Sequence, residues 1–144
     1  MKNQKLYKAF ISFLKIFLGM LFIYAAIDKI FYPAKFAEVI YHYKLLPLEL
    51  VNICAIIIPW IEIGFGIMLV LDIWPETATF GLSALTFVFI ILIATAMARG
   101  LNIECGCFSL DSQNSYVGWK RIFEDILILA GGGLILRHEY QKFA

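Results

Sequence analysis

Residues 77–98 read TATFGLSALTFVFIILIATAMA, a stretch without a single charged side chain. As an α-helix it would be about 33 Å long, which is enough to cross a bilayer core about 30 Å thick. The whole chain has a matching composition, since 62% of its 144 residues are hydrophobic and only 16% are charged. Soluble domains average about 45–50% apolar and about 25% charged residues. The sequence therefore predicts an integral membrane protein, and its net charge of +1 gives no sign of a nucleic-acid partner.

Other apolar runs flank this stretch and predict an all-α protein, a bundle of four transmembrane helices in a single domain covering residues 1–144. We predict spans at about 10–27, 50–71, 77–98 and 119–136. The segment at about 34–45 is too polar to span the bilayer, and its apolar residues recur at i, i+3, i+4 and i+7. This pattern predicts a short amphipathic helix at the membrane interface, between the first and second spans. The alternative is an ordinary connector helix that caps the bundle.

The fourth span is unusual because its clean apolar stretch, 126–136, would make only about 16 Å of helix. To cross the bilayer the helix must begin near Trp119, which places Glu124 and Asp125 below the interface. We expect both carboxylates to face protein rather than lipid. The glycines at 131–133 would let a neighbouring helix approach closely.

Four spans bring the first and third loops to one end of the bundle and both termini to the other. The loop end collects most of the chemically active side chains. They are Lys29, Arg99, Cys105, Cys107 and Arg121, with Cys54 about one turn inside the second span. Glu62 is expected near mid-membrane, with Glu124 and Asp125 approaching it from the fourth helix. Lysines and arginines number six at each end, so the charge distribution leaves the membrane orientation open.

Cys105-Gly106-Cys107 is a C-x-C unit in a polar loop. A disulfide closing so small a ring would be strained, and hence easily reduced and relatively oxidising. Arg99 would favour a thiolate in this loop, whereas Glu104 opposes it. Free thiols without a role, or half of a metal site, remain open as alternatives.

Glu62 is an ionisable side chain at a depth where such groups usually mark a pathway, a proton relay or a partner. From the sequence, Lys29 or Arg121 could pair with it, and a purely structural hydrogen bond between helices is the alternative. Cys54 is either a small packing residue or a third thiol in redox chemistry.

Several motifs resemble the MauE branch of the DoxX-like membrane proteins, and the resemblance covers roughly residues 10–136. The motifs are Leu46-Pro47, IPWIEIG at 58–64, Arg99-Gly100, ECGCFS at 104–109, and Gly118-Trp119-Lys120-Arg121 followed by Asp125. Members of this family are four-helix membrane proteins, and MauE itself is associated with maturation of the disulfide-rich subunit of methylamine dehydrogenase. The resemblance thus implies the bacterial inner membrane, cytoplasmic termini and a periplasmic Cys105–Cys107 loop. It also implies thiol–disulfide exchange with a thioredoxin-fold partner.

The functional prediction is a membrane thiol–disulfide redox component, and whether it has oxidoreductase activity of its own stays open. Cys105, Cys107, Glu62 and Arg99 would carry the chemistry, with Lys29, Cys54, Arg121, Glu124 and Asp125 as auxiliary residues. One cysteine pair cannot relay electrons across a membrane alone, so a partner, a bound quinone or Cys54 must complete the path. The rival readings are a small soft-metal or solute carrier and a passive membrane anchor for a redox protein.

Overall fold

The computed structural model describes residues 1–100 and 119–143, which form five α-helices. They are α1 (Lys2–Phe31), α2 (Pro33–His42), α3 (Leu48–Val70), α4 (Pro75–Ala98) and α5 (Trp119–Phe143). Over these two ranges the chain contains no strand, so the predicted all-α class is confirmed. The Cys105-Gly106-Cys107 segment lies outside the described residues.

Three of the described helices, α1, α3 and α4, are long and apolar enough to cross a membrane. Their buried residues recur every three or four positions and so form one stripe along each helix. Large apolar side chains outside the stripes are exposed, among them Phe13, Ile56, Trp60 and Phe87. A soluble protein rarely exposes apolar surface on this scale, so these faces contact the lipid of a bilayer.

Helices α1 and α3 pack antiparallel and cross closely. Lys15 of α1 contacts Asp72 just beyond α3, whereas Lys29 contacts Glu62 within it. At the crossing, a Cβ atom added at Gly19 would lie 2.8 Å from the carbonyl oxygen of Gly66. The two backbones can approach this closely because neither residue has a side chain.

The helical conformation is interrupted between α1 and α2 at Tyr32-Pro33. Proline lacks an N–H and disfavours the helical conformation in the residue before it, so α1 ends and α2 begins with Pro33 in its first turn. Phe36 and Val39 of α2, with Tyr43 just after it, are buried in a cluster with Ala55 of α3 and with Phe89, Ile93 and Ala96 of α4. The apolar face of α2 therefore contacts protein, as the connector alternative requires.

At the end of the bundle away from α2, charged side chains form a network of ion pairs around Lys15. Its ammonium lies 2.6 Å from Asp72 Oδ1, in the turn between α3 and α4, and 2.6 Å from Glu139 Oε1 on α5. Lys15 and Glu139 are both buried. The network joins three parts of the chain at the end where α1 begins and α5 finishes.

Candidate functional site

A buried ion pair between Lys29 and Glu62 occupies the interior of the bundle. The lysine ammonium donates to both carboxylate oxygens at 2.9 Å, and each side chain is only 1% exposed. Glu62 follows the first residue of α3 by 14 positions, or about 21 Å of helix, so the pair lies deep in the apolar part of the bundle. Glu62 thus pairs with Lys29, one of the two partners that the sequence offered.

Two aromatic rings flank the lysine. Its ammonium lies 5.1 Å from the ring centre of Phe36 on α2 and 5.2 Å from that of Phe89 on α4. Both distances are within the range of cation–π attraction. Lys29 also stands in the last turn of α1, where the helix dipole favours a positive charge. Four helices therefore contribute to the environment of one charge pair: α1 and α3 supply the charges, and α2 and α4 supply the rings.

Helix α5 adds a second carboxylate, Asp125, which is 3% exposed. Arg121, Glu124 and Lys29 all lie close enough to interact with it electrostatically. Its Oδ2 atom is buried and has no hydrogen-bond partner in the described part of the chain. One ammonium and two carboxylates have a formal charge of −1 among themselves, and the guanidinium of Arg121 acts on Asp125 from the same helix. We call Lys29, Glu62 and Asp125 the buried charge layer.

Tyr43 follows the last residue of α2 and packs in the same buried cluster as Phe36 and Phe89. It is 2% exposed, and its carbonyl oxygen accepts a hydrogen bond of 2.9 Å from the guanidinium of Arg99. Burial raises the pKa of the Tyr43 phenol to about 12, and the nearby charge of Asp125 acts in the same direction. The arginine that the sequence assigned to thiolate tuning is therefore also the residue that joins the end of α4 to the end of α2.

The shifted pKa of Tyr43 predicts that stability falls at alkaline pH. Between pH 10 and 12 the unfolded chain loses its phenolic proton while the folded protein keeps it, so the free energy of unfolding decreases as pH rises. The loss reaches about 1.4 kcal/mol by pH 11. It is measured as the difference between wild type and Tyr43→Phe in unfolding titrations at pH 9 and 11. Equal losses in the two proteins would contradict the assignment.

The remaining predicted site residues are more dispersed. Arg121 and Glu124 form an ion pair of 3.1 Å along α5, with both side chains partly exposed. Cys54 is a half-buried free thiol on α3, eight residues before Glu62. Cys105 and Cys107 lie outside the described residues. Within residues 1–100 and 119–143, no group of three or more His, Cys, Asp or Glu side chains could hold a metal ion.

Sequence reasoning missed Phe36, Tyr43 and Phe89 as neighbours of the site. The first two belong to the i, i+7 pattern that predicted an apolar helix face, but the pattern could not tell whether that face meets lipid or protein. Phe89 stands in the charge-free run of α4, where nothing distinguishes it from other apolar residues. All three side chains lie beside the site because of contacts between helices that are far apart in the sequence.

The described residues define a multi-helix membrane protein with a buried ammonium–carboxylate layer in its interior. The chain belongs to the MauE family, because the model of that family, described as methylamine utilisation protein MauE, matches residues 7–137. No solved structure matches the chain.

Curated relatives support the same assignment. The chain is 36% identical over 125 residues to methylamine utilization protein MauE of Methylorubrum extorquens and 33% identical over 123 residues to that of Methylophilus methylotrophus; each match covers 85% of the chain. It is 29% identical to the protein of the same name from Paracoccus denitrificans, with 81% of the chain covered. The matches cover 67%, 64% and 63% of these relatives, so the chain spans about two thirds of their length.

Proposed function

We propose that this protein is a four-span membrane component of thiol–disulfide exchange. In the exchange, a thiolate of Cys105 or Cys107 attacks a disulfide of a partner protein and forms a mixed disulfide. The second cysteine then attacks the mixed disulfide and releases the partner. The chain's two thiols lose two electrons and two protons and become a disulfide, while the partner's disulfide gains both and becomes two thiols. The same steps run in reverse when the partner is the reductant.

The connection of the C-x-C segment to the bundle carries this proposal. It joins α4 to α5, and these are the helices that bring Phe89 and Asp125 to the buried charge layer. A cysteine pair that gains or loses electrons also exchanges protons. Two carboxylates and one ammonium in a water-poor interior have a formal charge of −1, and uptake of one proton neutralises them. In this proposal the layer holds such a proton, and Arg99 favours the thiolate form of the cysteines.

The proposed topology has α1, α3, α4 and α5 as spans of a single domain, with α2 near one interface. Helix α5 has 25 residues and is about 37 Å long, enough to cross the bilayer core. Its carboxylates Asp125 and Glu139 are buried by protein, which makes a charged span tolerable in a bilayer. The orientation we propose places both termini in the cytoplasm and the loop with Cys105 and Cys107 in the periplasm of a bacterial inner membrane.

The proposed partner is a thioredoxin-fold protein, and the proposed setting is methylamine utilisation, which the names of the relatives state for those proteins. Electrons would reach or leave the C-x-C pair through that partner, a quinone, or Cys54 as a resolving thiol. Cys54 is half-buried and lies on a helix that also supplies Glu62.

The first test is the redox state of Cys105 and Cys107 in native membranes. Alkylation with a mass-shifting maleimide along a glutathione titration gives the number of reactive thiols and their potential. We expect a reversible two-electron couple more oxidising than about −250 mV, in the range of catalytic disulfides. Cys54→Ser should leave this couple in place, whereas Cys105→Ser/Cys107→Ser should abolish it.

Three results would contradict the redox proposal. Thiols that never oxidise would remove its chemical basis, and thiols that react only after addition of a chelator would favour a soft-metal carrier. Full function of Cys105→Ser/Cys107→Ser in living cells would instead indicate a passive anchor for a redox protein.

A further inference from the structure

A second polar site lies at the opposite end of the bundle from the C-x-C segment. The first two turns of α1 and the last turns of α5 line an open surface cavity of about 480 Å³. We call it the terminal cavity. Its position is fixed by the Lys15–Glu139 contact and by the ring of His138, whose centre lies 5.6 Å from that of Tyr7.

Every side chain that lines the terminal cavity can donate a hydrogen bond, and none is a carboxylate. Lys8 and Lys142 supply positive charge, His138 an imidazole and Tyr7 a hydroxyl, and the other lining residues are carboxamides such as Gln4. A set of donors without an acidic side chain matches an anion that has several acceptor oxygens. Phosphate groups are anions of this kind.

Glu139 holds two of these donors in place without entering the cavity. Its carboxylate accepts from Lys142 at 3.1 Å on each oxygen, and His138 Nδ1 lies 3.4 Å from Oε1. Glu139 itself is 3% exposed and also contacts Lys15. The carboxylate is therefore enclosed by its partners, while Lys142 retains one N–H for a ligand.

The charge of this end of the bundle has the sign that an anionic ligand requires. Its basic residues are Lys2, Lys5, Lys8, Lys15, Arg137 and Lys142, and its acidic residues are Asp72, Glu76 and Glu139. Six positive and three negative charges leave an excess of three positive charges. The other end has the opposite balance, because the whole chain has a net charge of only +1.

Exposed aromatic and aliphatic side chains lie on or beside the same turns of α1 and α5 as the residues that line the terminal cavity. Tyr140 is 75% exposed and Phe143 81%, next to the cavity on α5, and Leu6 and Phe10 are exposed on α1. Aromatic side chains at the end of a membrane bundle lie at the level of lipid headgroups, with apolar surface toward the acyl chains. A soluble anion would need only the donors, whereas a phospholipid would use both the donors and this apolar rim.

We propose that the terminal cavity binds the phosphate-bearing headgroup of an anionic phospholipid, whose acyl chains lie against the exposed apolar side chains of α1 and α5. Basic pockets between membrane helices select anionic lipids in this way. Such a lipid would join the first turns of α1 to the end of α5 at the end of the bundle remote from the cysteine loop.

The test is native mass spectrometry of the purified full chain in detergent with dioleoyl phosphatidylglycerol or dioleoyl phosphatidylcholine. We expect the apparent Kd to be at least about tenfold lower for phosphatidylglycerol, because only this lipid carries net negative charge. Lys8→Gln/His138→Gln should remove most of the preference. His42→Gln/Lys44→Gln is the matched control, since it removes the same residue types from exposed positions at the other end, and it should keep the preference.

Any of four results would overturn the proposal, three of them in the comparison of the two lipids. The wild-type protein would show no preference, or the preference would survive Lys8→Gln/His138→Gln, or the matched control would lose it equally. Glycerol 1-phosphate, which has the headgroup chemistry without acyl chains, separates the two sources of phosphate. Its failure to displace the lipid at millimolar concentration supports a lipid site, whereas full displacement would assign the cavity to a soluble phosphate. If a variant fails to fold, the absence of a preference in the wild-type protein would still overturn the proposal.

Discussion

Replacing Lys29 with methionine is expected to lower the free energy of unfolding by about 3–5 kcal/mol, the usual cost of removing one partner of a buried ion pair. The change leaves the carboxylates of Glu62 and Asp125 without their ammonium in a desolvated interior. It also removes the cation between Phe36 and Phe89. The loss should shrink as pH falls, because protons would neutralise the stranded carboxylates.

Glu62→Leu should cost less than Lys29→Met. In this variant Lys29 keeps one anionic neighbour, because the carboxylate of Asp125 still interacts with it electrostatically. Lys29→Met/Glu62→Leu should be more stable than Lys29→Met alone, since a well-packed apolar pair replaces buried ions at little cost. Unfolding in mixed detergent, followed by far-UV circular dichroism, measures all three proteins. Equal losses in the two single variants, or a fully additive double variant, would contradict this account.

The double variant also separates the structural role of the layer from the role proposed for it in proton handling. A folded Lys29→Met/Glu62→Leu protein retains Cys105 and Cys107 but has lost two of the three charges. If the layer holds a proton during exchange, thiol–disulfide exchange should slow at least about tenfold and its pH dependence should change. If exchange keeps its rate and pH profile, the ion pair serves only to position the helices. The redox proposal would then survive without the proton step.

The apolar runs of the sequence predicted the helices. A helix end was predicted accurately where a proline or a turn sets it, and less accurately where the helix continues into polar residues. The predicted span 50–71 corresponds to Leu48–Val70, where Pro47 and the turn at Asp72 limit the helix on both sides. The predicted span 10–27 corresponds to the longer helix Lys2–Phe31. An apolar run locates the part of a helix that lies in lipid, whereas hydrogen bonding extends the helix into its polar flanks.

Prediction of the site was less complete, because adjacent residues of a helix point in different directions. We expected Glu124 and Asp125 both to face protein, but only Asp125 is buried, and the side chain of Glu124 is 36% exposed beside Arg121. Successive side chains are about 100° apart on a helix, so burial of Asp125 does not require burial of Glu124. The pairing of Lys29 with Glu62 could be named from the sequence as one of two options. Lys29 rather than Arg121 is the partner of Glu62 because α1 and α3 cross and bring the two side chains together.

That crossing was not predicted, since its two glycines are far apart in the sequence. The glycines at 131–133 drew attention as a run, yet only at Gly132 would an added Cβ approach a neighbouring atom too closely, namely Ser83 Oγ at 2.6 Å. Gly19 and Gly66 stand singly within apolar runs. Two glycines whose backbones touch cannot be recognised as partners from the sequence, because neither one indicates where the other lies.

Gly66→Val is expected to be among the most damaging single substitutions in the chain. A Cβ at this position would lie 3.0 Å from the carbonyl oxygen of Gly19 and 2.8 Å from Cγ1 of Ile23. The backbone oxygen cannot move aside as a flexible side chain can, so α1 and α3 would have to separate. Overpacking of this kind costs about 1–3 kcal/mol, and a contact with backbone belongs at the upper end of that range.

Gly64→Val provides the matched control, because it makes the same change two residues away on the same helix, where nothing lies within 4 Å of an added Cβ. It should leave stability nearly unchanged, and thermal unfolding in detergent compares the two variants directly. Because Lys29 and Glu62 lie on the two helices that would separate, Gly66→Val should also weaken their ion pair. Lys29→Met should therefore cost less in the Gly66→Val background than in the wild type. Equal stability of the two glycine variants would mean that α1 and α3 do not cross at these residues.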